Sequence, residues 1–160
     1  MAQVKTNALR ILDKEKVAYE ILTYDTKDGK IDGVSVAEKI DRNPELVYKT
    51  LVTQGSGKNF YVFVIPVAAE LDLKKAAKVC GEKKIDMLPV KDIQANTGYI
   101  RGGCSPIGMK KSYPTFIDET AASLPTIVVS AGKIGLQMEL EAAKLKDLAQ
   151  AKLADVIKQD

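Results

Sequence analysis

Lys49 lies in the run VYKTLV (Val47 to Val52), whose β-rich composition predicts a strand. The period of two puts Lys49 on one face with Val47 and Leu51, and Tyr48, Thr50 and Val52 on the other. An ammonium among apolar neighbours needs a carboxylate, a cleft or an anionic ligand such as phosphate; otherwise it is an edge-strand lysine whose head snorkels to water. A second candidate is GYIRGGCSPIGMKK (Gly98 to Lys111), where Gly102, Gly103 and Gly108 let backbone amides approach a ligand and Arg101, Lys110 and Lys111 add positive charge. Such a loop suits a carbonyl, carboxylate or phosphate, and a tight turn with solvated charges fits it as well. Ser130-Ala131-Gly132-Lys133 follows a third β-rich run, so the serine is either a ligand contact or a polar strand end.

The missing residue types narrow the chemistry further. The chain has no histidine, which excludes imidazole-based Ser or Cys hydrolysis and the usual catalytic zinc sites. Asp and Glu are scattered without paired spacing, so no metal and no cofactor is expected. Cys104 lacks an activating base, and Cys80 falls on a helical core stripe. The two form no C-x-x-C pair, which suits a reducing compartment, although a single bridge between them is left open. Gly55 to Lys58 (GSGK) is not a phosphate loop, because Val52 and Asn59 stand where a glycine and a hydroxyl residue are required.

The elements that must position these residues follow from periodicity. The 160 residues, 46% hydrophobic and with a net charge of +3, are expected to form one domain over 1–160 with a mixed, largely antiparallel sheet flanked by helices, an α/β fold of the α+β type. A first helix is predicted over Thr6 to Val17 with Thr6 as N-cap, an extended run over Tyr19 to Tyr24, and a polar, mobile loop over Asp25 to Gly33. Ser35 and Glu38 read as a capping box, and Asn43-Pro44 as another helix start. Phe60 to Pro66 is a covered central strand, paired with VYKTLV as a hairpin through the Gly55 to Lys58 turn. A helix runs behind Asp72 to a stop at Gly81, and a short one lies near Lys91 to Asn96. Strands follow at Thr115 to Asp118, Thr126 to Ser130 and Leu136 to Leu140. A closing helix carries Leu145, Leu148 and Ala149, with Leu153, Val156 and Ile157 continuing toward the terminus. The opening stretch breaks its apolar residues with charges, so neither a signal peptide nor a membrane span is expected, and the protein is placed in the cytoplasm.

Four segments in order, VYKTLV, PVAAELDLKKAAK (Pro66 to Lys78), TGYIRGGCSPIGMKK (Thr97 to Lys111) and VVSAGKIGL (Val128 to Leu136), resemble the YbaK/EbsC family of Cys-tRNA(Pro)/Cys-tRNA(Cys) deacylases. The resemblance spans Thr6 to Asp160. It implies a domain akin to the editing insertion of prolyl-tRNA synthetases, acting in trans on cysteine mischarged to tRNA(Pro), with aminoacyl-tRNA as partner and prolyl-tRNA synthetase as a candidate second one. By motif, Lys49 and Gly102 carry over as catalytic positions, and Tyr24, Thr50 and Ser130 as substrate-binding ones, to which Gly103 is added as the neighbour of Gly102. Ile31 joins them because it, or Asp32, stands where a phenylalanine is common in the family, and Gln137 replaces an acidic residue seen in some members. The implied chemistry needs no imidazole, since the thiol of the bound cysteine attacks its own ester. The resemblance also admits a deacylase for alanine or another small amino acid. A third reading is a non-catalytic module holding tRNA or a synthetase through Lys74, Lys75, Lys83, Lys84, Lys110 and Lys111, although those lysine pairs read equally as solvated faces.

Overall fold

The computed structural model describes residues 5–57 and 59–159. Helix α1 (Asn7–Lys14) starts where the Thr6 side chain accepts a hydrogen bond from Leu9 N–H, the cap that the sequence predicts. Strand β1 (Tyr19–Thr23) leads through a loop to α2 (Gly33–Lys39). Here the expected capping box gives way: Asp32, not Ser35, caps the helix, its carboxylate accepting from both Ser35 N–H (3.1 Å) and Ser35 Oγ (2.7 Å). A short 3-10 turn, Pro44–Leu46, capped by Asn43, delivers the chain to β2 (Tyr48–Gln54).

Strand β2 pairs antiparallel with β3 (Phe60–Pro66), the predicted hairpin, and Lys58 of its turn lies outside the described residues. Helix α3 (Leu73–Cys80) is capped by Asp72 and stopped by Gly81 in the left-handed region. Then come β4 (Asp86–Met87), α4 (Val90–Thr97), β5 (Thr115–Asp118), β6 (Thr126–Lys133), β7 (Leu136–Glu141), α5 (Ala142–Ala149) and β8 (Lys152–Ala154). Two expectations are corrected at this level. Residues 86–87 form an unforeseen two-residue strand, and the closing helix does not continue through Leu153 to Ile157. It stops at Gln150, which takes φ 51°, and the chain turns back into β8 because tertiary partners outweigh helical spacing. Val156 N–H donates to Asp118 Oδ1 and Val156 O accepts from Asp72 N–H, so this segment is stitched to the sheet.

The strands form two sheets, β1-β7-β6, which is antiparallel, and β4-β2-β3-β5-β8, which is parallel at β3-β5 and β5-β8. The fold is therefore mixed α/β, as expected. One core gathers Leu9 and Leu12 of α1, Ile127 and Val129 of β6, Met138 of β7 and Leu145 of α5; another packs Phe63, Ile65 and Phe116 under Ala76 and Ala77 of α3. The two sheets meet at a parallel bridge between Val47 and Val128, both buried. Beyond it β2 and β6 no longer pair, and the opening between them holds the site.

Candidate functional site

Parity along β2 decides which groups face this opening. Val67 N–H donates to Val47 O (2.9 Å), so in the antiparallel ladder Val47, Lys49, Leu51 and Thr53 direct their peptide groups at β3. Tyr48, Thr50 and Val52 direct theirs away from it. Val52 O is taken by Leu88 N–H (3.0 Å), and β4 pairs only with Thr53 and Gln54. The peptide of Thr50 is thus left on an open strand edge. The cleft there has a volume of about 640 Å³ and is lined by six of the seven sequence-predicted residues: Tyr24, Ile31, Lys49, Thr50, Gly102 and Ser130.

Lys49 lies on the stretch of β2 that is paired with β3 alone, and it is half-buried where the open edge gives onto the cleft. Among the described residues no carboxylate lies within ion-pair distance of its ammonium. Burial pushes its pKa below the ordinary lysine value, against a weaker opposing pull from Glu70. The neighbouring hydroxyls of Thr50 and Tyr24 are both buried and have no hydrogen-bond partner among the described residues. An unpaired buried polar group costs about 1–3 kcal/mol, so two in one cleft mark a place where a polar ligand would complete the network.

The other contributions come from loops. Gly102, after α4, has φ +86°, and a Cβ there would stand 3.5 Å from Ile31 Cδ1 and Ile134 Cγ1, so a glycine keeps the passage between these isoleucines open. Its N–H has no acceptor among the described residues. Gly103 is not in the lining. Its N–H donates to Ile100 O (2.9 Å), and its Cα packs so closely beneath the β6–β7 turn that a Cβ would meet Ile134 N at 3.0 Å. Ser130 lies on β6 next to a register shift, its Oγ accepting from Gly132 N–H (3.2 Å), and opposite Gln137 of β7, which also lines the cleft.

Cys104 lines the cleft but is buried, its Sγ donating weakly to Ile100 O (3.5 Å), and burial pushes its thiol up toward the protonated form. Sequence reasoning missed Gly33 and the walls Val36 and Val67. A Cβ on Gly33 would lie 2.5 Å from Val67 Cβ, so this glycine lets α2 close against the strand end, and its residue type was the one available signal. Of the lysines grouped as pairs, Lys75 is tied to Asp155 (3.0 Å) and Ile157 O (2.9 Å), and Lys110 reaches Ala95 O (3.3 Å). Among the described residues no group of three or more Cys, Asp or Glu could hold a metal ion, and no helix is long and apolar enough to cross a membrane.

A family model for the aminoacyl-tRNA editing domain matches residues 32–148. A protein of Enterococcus faecalis, provisionally named Cys-tRNA(Pro)/Cys-tRNA(Cys) deacylase EbsC, is 46% identical over 154 residues, covering 96% of this chain and 94% of the relative. Among solved structures, one described as a candidate trans-editing enzyme for prolyl-tRNA synthetase aligns with a TM-score of 0.84 at 20% identity, over 98% of this chain and all of that one. A hypothetical protein aligns at 0.86 and 17% identity, over 96% of this chain and all of that one. These two share the fold.

Proposed function

The chain belongs to the aminoacyl-tRNA editing domain family, and from that membership we propose that it is a trans-acting deacylase that clears cysteine mischarged onto tRNA(Pro). Its partner is then the aminoacyl-tRNA itself, with prolyl-tRNA synthetase the enzyme whose errors it removes and the cytoplasm the place where it works.

The observation that carries this reading is a cleft with a lysine and two buried hydroxyls that have no partner among the described residues, in a chain that has no imidazole. Such a site binds and orients well but offers no strong general base at neutral pH. The nucleophile is therefore assigned to the substrate. The cysteine thiol, losing its proton to water, attacks its own ester carbonyl; the carbon–oxygen bond to the ribose breaks; the ribose oxygen leaves and takes a proton. The products are free tRNA and a cyclic thioester, which water opens to cysteine. The protein holds the thiol near its target and stabilises charge on the carbonyl oxygen and the leaving ribose oxygen. Gly102 N–H, which has no acceptor among the described residues, serves the carbonyl oxygen. Thr50 and Tyr24 supply hydroxyls for the amino acid or ribose, Ser130 borders the same space, and Ile31 forms an apolar wall. Lys49 acts as a cation for the ribose or terminal phosphate, and a phosphate beside it favours the charged form against the pull of burial. Cys104, held protonated by burial, takes no covalent part.

Deacylation of Cys-, Ala- and Ser-tRNA by purified protein tests this. Release from Cys-tRNA(Pro) at least about 100-fold faster than from Ala-tRNA(Pro) is expected, and Lys49→Ala should lower kcat/KM by a similar factor. Equal rates on cysteine and alanine would remove the thiol step and favour water as the nucleophile.

A further inference from the structure

The wall of the cleft that faces Gly102 belongs to the loop between β1 and α2, and that loop has an unusual anchor. Lys39, in the last turn of α2, sends its ammonium back along the helix to the loop. Nζ donates to Asp25 O (2.6 Å), to Asp28 Oδ1 (2.7 Å) and to Lys30 O (3.0 Å). An ammonium has three protons, and all three are spent on this one segment. At the other end of the same helix Asp32 caps the first turn, so α2 grips the loop at both of its ends. Between these grips the loop supplies Gly29, Ile31 and Asp32 to the cleft lining.

This arrangement is poorly suited to stabilising the fold as a whole. The Lys39–Asp28 pair is partly exposed, with 44% of the aspartate side chain accessible, and pairs of that kind contribute little in water. It is well suited to fixing a conformation, because two of the three acceptors are backbone carbonyls on either side of Gly29, itself at φ +73°. Ile31 then comes to rest with its Cδ1 3.5 Å from the point where a side chain on Gly102 would begin.

We propose that Lys39 is a positioning residue for the editing reaction: it clasps residues 25–32 and so sets Ile31 as the wall that fits a small aminoacyl group. The proposal rests on the deacylase reading for its kinetic consequence, but the clasp itself can be read without any substrate.

The chain contains no tryptophan, so Lys27→Trp, at an exposed loop position outside the cleft lining, gives a single fluorophore on this segment. In that background Lys39→Met, which keeps the stem and removes the donors, should lower the emission anisotropy, and Lys39→Arg should retain most of it. On Cys-tRNA(Pro), Lys39→Met should raise KM about tenfold with kcat changed less than about twofold, and cut the Cys-over-Ala preference about fivefold, with Arg restoring both. Unchanged anisotropy would overturn the proposal, as would a loosened loop with KM and amino-acid preference unmoved. If the Lys39 parent deacylates no aminoacyl-tRNA at all, the deacylase reading fails, and the anisotropy series still decides whether the clasp exists.

Discussion

The hydroxyls of Tyr24 and Thr50 are buried without partners among the described residues, a cost that a structural role does not repay. Tyr24→Phe and Thr50→Val remove each oxygen at nearly constant volume. Both variants should melt at or up to about 3 °C above the parent, since ~1 kcal/mol moves a domain of this size by 2–4 °C, while kcat/KM on Cys-tRNA(Pro) falls about tenfold. A drop in melting temperature in either would show that the hydroxyl serves the fold. The surroundings of Lys49 and Thr50 were only half legible in the sequence. Alternation assigns a residue to a face, but it does not tell whether the strand beside it is present, and the open edge at Thr50 follows from a pairing between Val47 and Val128 that links residues 81 positions apart by their numbers. Gly102 and Gly103 are likewise indistinguishable by type. Packing separates them: one borders the cleft with its N–H free, and the other is spent under the β6–β7 turn.

At the scale of elements, periodicity located α1, the β2–β3 hairpin, α3 and the strands β5, β6 and β7, because each carries its own apolar pattern and cap or stop. It failed where a neighbour decides. Leu145, Leu148, Ala149, Leu153, Val156 and Ile157 keep helical spacing, yet the last three belong to a segment drawn onto the sheet by Asp118 and Asp72. Strand β4, two residues long, has no pattern to read. The loop of residues 25–32 reads as polar and mobile, and its anchor, Lys39, lies nine residues beyond Lys30, out of view of any local rule. That anchor has a defined pH window. The Lys39 hydrogen bond holds the Asp28 carboxyl below the ordinary aspartate value of 3.8. A lowered value means that the folded loop prefers the ionised form, so this contribution is complete above the free-aspartate range and is lost as pH falls through the lower, folded value. Anisotropy of the loop tryptophan should be flat from pH 8 to about 5 and drop only below about 4, and Asp28→Asn should shrink the drop to the part left by Asp32, whose carboxyl the Ser35 hydrogen bonds also hold low. A transition near pH 6 would place the control elsewhere.

Taken whole, the molecule has a small positive balance of +3 and, in the cleft lining, an exposed Arg101 together with Lys49. A polyanionic substrate should register this. For full-length Cys-tRNA(Pro), kcat/KM is expected to fall roughly tenfold between about 50 and 200 mM salt, the loss that about two phosphate contacts give, whereas a cysteinyl-adenosine lacking phosphates should show almost no slope. Equal slopes for both would show that recognition ends at the terminal nucleoside. The overall class, mixed α/β, was legible from the order of elements. The division into two sheets joined at one parallel bridge was not, because it depends on contacts between distant parts of the chain. The clasped loop has one further consequence. Residues 25–39 contain one wall of the cleft, the helix that follows it and most of the bonds that hold the two together, while the strand that carries Lys49 stands on a separate sheet pairing. On the proposed reading, selectivity and catalysis are separable in inheritance: this stretch, anchor included, would pass between relatives as a cassette, and a lineage would acquire a new amino-acid preference without rebuilding the strand that carries Lys49.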